Sequence, residues 1–286
     1  MRFGSLLNRL IGQKARTRTV VFDEAGRSIE CVVPEDDLWG AVKDNLLFQE
    51  YERAGIAIPQ CTGVVVDAGA HVGVFTLRAA TYARKVIAIE AHPENRSLLI
   101  QNIQKNDLQA TVQVLPNALW RTRETLHLAE GTHSGGASLL VEGGEHLVEG
   151  VTLDDVLADV ERADLLKLDI EGAEFEVLKT CSAETLSKFG AVVGELHPKL
   201  AGENAKVAFD AMRAAGFRHV CILTAPSERP REYVLRLLGN WKKLHGNTRL
   251  KVVILMVYLG FGTLRLLPVV RRRLDQDDLR FLYATK

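Results

Sequence analysis

The sequence predicts an α/β fold: a mostly parallel, Rossmann-like sheet with helices on both faces. Three observations carry that prediction. Apolar runs of strand length alternate with helical stretches from residue 63 to residue 224, as parallel strands joined by crossovers require. The stretch "VVVDAGAHVGVFTL" (64–77) passes from a β-branched strand through a glycine-bearing turn into a helix, which is how many such folds hold a nucleotide-like ligand. Asp67, Glu90, Asp169 and Glu195 each close a predicted strand, and ligands of open α/β sheets bind at the carboxyl ends of strands.

The elements follow in order. "TVVFDEAGRSIECVVP" (19–34) reads as a β-hairpin about Glu24-Ala25-Gly26, and a polar helical stretch runs on to about Arg53. "GVVVDAG" (63–69) is a strand and "VFTLRAATYA" (74–83) a helix; "KVIAIEAHP" (85–93) is the next strand. "PENRSLLIQNIQKN" (93–106) is a helix with Pro93 in its first turn, where a missing N–H costs nothing. "TVQVLPNAL" (111–119) is read as one strand, and "EGTHSGGASLLVEGGEHLVEG" (130–150) as a glycine-rich loop that closes over the site or merely connects. Thr152 and Asp155 are spaced as a capping box at the start of "TLDDVLADV". "DLLKLDIEG" (164–172) is a strand, "AEFEVLKTC" a helix, and "AVVGELHP" (191–198) a strand. Ala201, Ala205, Ala208, Met212 and Ala215 mark a helix, and "FRHVCILT" (217–224) is a strand.

The chain of 286 residues divides into 1–58, an N-terminal amphipathic segment with hairpin and helix, and 59–286, the main domain with an insertion at 225–278. Thirty-six basic and 36 acidic residues balance, so nothing pulls the chain towards nucleic acid. Cys31, Cys61, Cys181 and Cys221 are scattered and read as reduced, buried thiols, which fits the cytoplasm. Phe3, Leu6, Leu7, Leu10 and Ile11 recur at helical spacing among basic residues; this segment packs on the domain or lies on a membrane surface. "VVILMVYLGFGTL" (252–264) is uncharged and too short to span a bilayer. Three readings of it stay open: membrane-surface contact through 249–273 at the inner membrane face, a homodimer contact, or core.

The chemistry of the glycine turn narrows the ligand. Counted from Gly69, a dinucleotide fingerprint needs glycines at 71 and 74, where His71 and Val74 stand, and no P-loop is present. An adenosine ligand without a pyrophosphate tolerates His71, and S-adenosylmethionine is such a ligand. Asp67 lies near its ammonium, and Glu90, 23 residues later, is spaced as a ribose acid. "KLDIEGAE" sets Lys167, Asp169 and Glu171 on one side of a strand, and "ELHP" sets Glu195 and His197 on one side of the next. His197 is the first choice for general base because its ordinary pKa lies nearest neutrality. Asp169 follows, as base or as partner of the acceptor or the methionine ammonium. A divalent ion on Asp169, Glu171 and Glu195 is open but not expected. Glu171 and Glu174 have a plainer alternative, which is to serve the helix N-terminus; Lys167 has one as an internal ion-pair partner of one of these two.

"VVVDAGAHVGVFTL", "IEAHP", "LPNAL", "VTLDDVL", "LLKLDIEGAEFEVL" and "GELHP" occur in an order that resembles the FkbM-type S-adenosylmethionine-dependent methyltransferases, over roughly residues 60–225. The resemblance implies a class I methyltransferase fold and methyl transfer, usually to a hydroxyl of a sugar, glycan or natural product. By position it implies Asp67, Gly69, Ala70 and Gly73 as the methionine-side loop, with His71 where many members carry Asn. It implies Glu90, followed by Ala91, at the ribose, and Asn117 and Ala118 beside the adenine. It further implies that "LRFLYATK" (279–286) pairs antiparallel beside the sixth strand. Two other classes compete: a membrane-docked binding or scaffolding module without turnover, and a nicotinamide dehydrogenase, against which the missing second glycine speaks.

Overall fold

The computed structural model describes residues 16–47, 49–129, 139, 144, 146–224, 240, 243 and 280–286. The expected N-terminal amphipathic helix lies almost wholly outside these residues, as do the run 252–264 and most of the glycine-rich loop. Among the described residues, no helix is long and apolar enough to cross a membrane.

The chain opens with a hairpin, β1 (Thr17–Glu24) and β2 (Arg27–Pro34), paired antiparallel across the turn Ala25-Gly26 as expected. The predicted polar helix is a short α-helix, α1 (Leu38–Val42), which loosens into a π-helical turn at Lys43–Leu47. A seven-stranded sheet follows. It is built from β3 (Val64–Ala68), β4 (Lys85–Ile89), β5 (Val112–Leu115), β9 (Ala163–Leu168), β10 (Phe189–Leu196), β11 (His219–Thr224) and β12 (Arg280–Thr285). Its order is β5-β4-β3-β9-β10-β12-β11. Neighbours from β5 to β10 run parallel, and β12 runs antiparallel to both β10 and β11. This is the class I methyltransferase topology, with the last strand where it was expected.

Alternation along the strands builds two cores. Val65, Leu165 and Val193 face one hydrophobic cluster, and Val64, Val66, Leu166 and Val192 face the other. The first cluster also takes Val20, Phe22, Ile29 and Val33 of the hairpin and Leu46 and Leu47 after α1. The hairpin and the turn after α1 are therefore packed into the main core. The crossover helices are α2 (Val74–Ala80), α3 (Pro93–Lys105), α4 (Leu153–Val156), α5 (Glu174–Thr180), α6 (Ala183–Ser187), α7 (Pro198–Ala201) and α8 (Lys206–Ala214). Thr152 and Asp155 form the expected capping box on α4.

Three expectations need correction. "TVQVLPNAL" is two strands, because Pro116 has no N–H to give a ladder; β5 stays in the main sheet and β6 (Asn117–Leu119) leaves it. The end of the glycine-rich loop is a strand, β8 (His146–Val151), which pairs with β6 and with β7 (Thr125–Leu128) in a second, three-stranded sheet. The four thiols are free, but only Cys31 and Cys61 are buried; Cys221 is exposed.

A buried cation fastens the hairpin to the sheet. Arg78, on α2, is 1% exposed. Its Nε donates to Glu24 Oε2 at 2.8 Å, and one terminal nitrogen reaches the Asn45 carbonyl at 2.7 Å and Glu52 Oε1 at 2.6 Å. Removing one partner of a buried ion pair strands the others. Arg78→Ala is expected to cost about 3–5 kcal/mol in urea unfolding at neutral pH; a loss below about 1 kcal/mol would contradict this role.

Candidate functional site

At the carboxyl ends of β3, β4, β9 and β10 lies a cavity of about 370 Å³. Its floor is the turn after β3. Gly69 holds φ +77°, and a Cβ there would stand 1.7 Å from the Asp169 carbonyl oxygen. Only glycine lets the two strand ends approach so closely. The turn's own N–H groups are used internally. Gly69 and Ala70 both donate to the Ile89 carbonyl at 3.0 Å, and His71 N–H donates to Glu90 Oε2 at 2.7 Å. None of these three is left to hold a phosphate.

Glu90 follows the last residue of β4 and lines the cavity. Its second oxygen accepts from His92 N–H at 2.8 Å, so both oxygens are aimed by backbone. Burial nonetheless pushes its pKa up to about 7, against those two bonds. Beyond it, Asn117 and Ala118 of β6 line the cavity with Leu119, Leu128 and Leu139. Asn117 is fixed to the Glu149 carbonyl at 3.1 Å. The second sheet thus supplies a mostly apolar end wall.

On the other side stands an ion network. Lys167 is buried, and its ammonium touches the Gly69 carbonyl at 2.7 Å, Asp169 at 3.3 Å and Asp67 at 3.4 Å. Lys167 is an internal ion-pair partner, but of Asp67 and Asp169 rather than of Glu171 or Glu174 as expected. Asp67 is fully buried and also accepts from Thr76 Oγ1 at 2.5 Å. It does not line the cavity, contrary to the expectation that it faces a ligand. Gly73 does not line it either; its φ of +94° and the Leu99 side chain, 2.5 Å from a built Cβ, make it a packing residue. Burial works against the Asp169 charge, but Lys167, His197 and the hydrogen bonds from Tyr51 and Lys167 hold its pKa below the ordinary carboxylate value.

Strand β9 ends at Leu168, so Glu171 stands in the turn beyond, at φ +53°. It still lines the cavity, with Asp169 and Glu195. Burial raises its pKa to about 7. His197 lies behind it, its Nε2 3.7 Å from Glu171 and its Nδ1 3.2 Å from Glu174. Burial alone would lower the His197 pKa, but the Glu174 hydrogen bond and the Glu171 and Asp169 charges raise it to about 10. The choice of His197 as general base is therefore corrected: at neutral pH it is a cation outside the cavity lining. Glu174 serves the turn, as its plainer reading held, accepting from the Ile170 and Gly172 N–H groups.

Asp169, Glu171 and His197 bring donor atoms within 4.8 Å of one another; Glu195 is not in that group. Within it, His197 Nε2 stands 3.7 Å from Glu171 Oε2.

Tyr51 gave no signal in the sequence. Its hydroxyl lies 2.8 Å from Asp169 Oδ2 and 3.3 Å from Glu195 Oε2. Asp37, Gly40, Ala41, Asp44 and Asn45 from around α1 complete that wall.

Comparison with known proteins agrees with this architecture. The family described as Methyltransferase FkbM domain matches residues 67–219, more than half of the chain. The chain is 32% identical over 157 residues to "Methyltransferase sdnD" of Sordaria araneosa, covering 42% of this chain and 61% of that protein. It is 27% identical over 212 residues to "AMB antimetabolite synthetase AmbE" of Pseudomonas aeruginosa, covering 58% of this chain and 10% of that one. The crystal structure of a methyltransferase FkbM from Methylobacillus flagellatus KT aligns with TM-score 0.42 and 14% identity, over 61% of this chain and 45% of that chain. The chain thus spans less than two thirds of either curated relative.

The Glu90 environment sets a pH dependence. Between its ordinary pKa of 4.5 and about 7, the folded chain keeps a proton that the unfolded chain has released. Stability therefore falls as pH rises through that window. Chemical unfolding at pH 5 and pH 7.5 is expected to show a loss, of which up to about 3 kcal/mol disappears in Glu90→Gln. Equal slopes in both proteins would contradict the burial of this carboxyl.

Proposed function

The chain belongs to the FkbM methyltransferase family, and on that premise we propose that it transfers a methyl group from S-adenosylmethionine to a hydroxyl oxygen of an uncharged sugar, glycan or natural product. The observation that carries this reading is the Glu90 carboxylate, aimed into the cavity by two backbone N–H groups beside a glycine turn in which the Gly69, Ala70 and His71 N–H groups are already used. A carboxylate is an acceptor for a ribose diol, and these three N–H groups are not offered to a pyrophosphate.

Charge supports the same reading. Asp37, Asp44 and Asp169 line the cavity, together with Glu90 and Glu171, whose pKa values lie at about 7, while Lys167 spends its charge on Asp67 and Asp169. Such a wall favours a cationic ligand and disfavours phosphate-bearing ones. The residues fit the cofactor: Glu90 for the ribose, Asn117 and Ala118 with the leucines for the base, and Gly69, Ala70 and His71 beneath the methionine end. Ala91, next to Glu90 and in the lining, borders the ribose position.

When bound, the cofactor supplies a methyl group already activated on a sulfonium sulfur, so alignment is the chain's main task. Glu171 takes the role of general base, since its pKa of about 7 is poised at neutrality. It accepts the proton of the acceptor hydroxyl as the new carbon–oxygen bond forms. Protonated His197 steadies Glu171 from behind.

Calorimetric titration with S-adenosylhomocysteine tests the ribose assignment. Glu90→Ala is expected to weaken binding about tenfold or more through loss of charge-assisted hydrogen bonds. Unchanged affinity in a folded variant would contradict it.

A further inference from the structure

We propose that Tyr51, which lies outside the matched family domain of residues 67–219, is a positioning residue that holds Asp169 against the cationic methionine end of the bound cofactor. This inference rests on the cofactor reading above. Glu90 places the ribose and β6 places the base, so the methionine end lies over Gly69 and Ala70. Asp67 cannot meet it there, being buried beneath and held by Thr76 and Lys167. Asp169 can: its own backbone packs on Gly69 and its carboxylate lines the cavity.

That carboxylate is held from two sides, by Lys167 at 3.3 Å and by the Tyr51 hydroxyl at 2.8 Å. The tyrosine is itself fixed. It is 5% exposed, its ring meets Phe75 edge-on at 5.7 Å, and the Lys167 ammonium sits 5.3 Å from its centroid. A hydroxyl has one proton to donate, and two carboxyls face it. Asp169 is the ionised one and receives that proton. Glu195 Oε2 stands farther from the hydroxyl, at 3.3 Å, and burial and the nearby Asp169 and Asp44 charges push its pKa well up. The Tyr51 and Lys167 contacts both fall on Asp169 Oδ2, which leaves Oδ1 for a cation. Tyr51 thereby joins the binding site.

Two ligands separate this role from plain packing. S-adenosylhomocysteine carries the amino acid end, and 5′-methylthioadenosine lacks it. Tyr51→Phe keeps the ring against Phe75 and removes only the hydroxyl. By calorimetry it is expected to weaken S-adenosylhomocysteine about five- to tenfold and to leave 5′-methylthioadenosine within about twofold. Asp169→Asn is expected to show the same selective loss, and adding Tyr51→Phe to it is expected to weaken binding no further. Unchanged S-adenosylhomocysteine affinity in Tyr51→Phe, equal losses for both ligands, or additive losses in the double variant would each overturn the inference alone. A wild-type chain that binds neither ligand would overturn the cofactor reading, and the inference with it.

Discussion

The buried ammonium of Lys167 is the interaction from which the site is built. At 4% exposure it cannot rely on water, and an unpaired charge there would be prohibitive. It draws on Asp67, Asp169 and the Gly69 carbonyl at once. That demand locks the end of β3 to the end of β9 and brings the Asp169 carbonyl so near Gly69 that no side chain fits between. It also divides the acids. Asp67 is drawn into the core as a counter-ion, while Asp169 stays at the cavity with one face turned outward. The acid that lines the cavity thus comes from the end of β9 and not from β3.

A second layer of polar groups controls which carboxyls are charged. Glu174 fixes the 170–172 turn and keeps His197 protonated. Protonated His197 faces Glu171 but does not cancel the burial that raises its pKa to about 7. Burial and the Asp169 and Asp44 charges push the Glu195 pKa up, while Lys167 and Tyr51 hold that of Asp169 down. The acids of one wall are thus moved in opposite directions, each by its neighbours rather than by residue type. The N-terminal hairpin makes this possible, since Arg78 ties it to α2 through Glu24 and Glu52 and so brings the segment from Asp37 to Tyr51 over the strand ends.

Much of this was legible in the sequence. β-branched runs such as 64–66 mark the parallel strands, and the broken glycine fingerprint at His71 points away from a dinucleotide before any coordinates are seen. The spacing from Asp67 singles out Glu90, which lines the cavity. The small sheet is not legible, because Pro116 hides the break between β5 and β6 inside an apolar run and β8 closes a glycine-rich stretch. His197 was misjudged because its pKa depends on Glu174, which sequence places on a helix without saying that its carboxylate turns inward. Asp67 was assigned to the ligand because a strand-end acid looks the same whether it faces solvent or a buried lysine. Tyr51 carries no local pattern; only the fold brings it to residues 118 and 144 positions away.

The account stands most directly on what the wild-type cavity accepts. Titrating the intact chain calorimetrically with S-adenosylhomocysteine and, separately, with NADH is the measurement to make. Micromolar binding of S-adenosylhomocysteine with no heat from NADH is the predicted result. Binding of NADH, or no binding of S-adenosylhomocysteine by a folded chain, would contradict the assignment of this cavity to a sulfonium nucleoside.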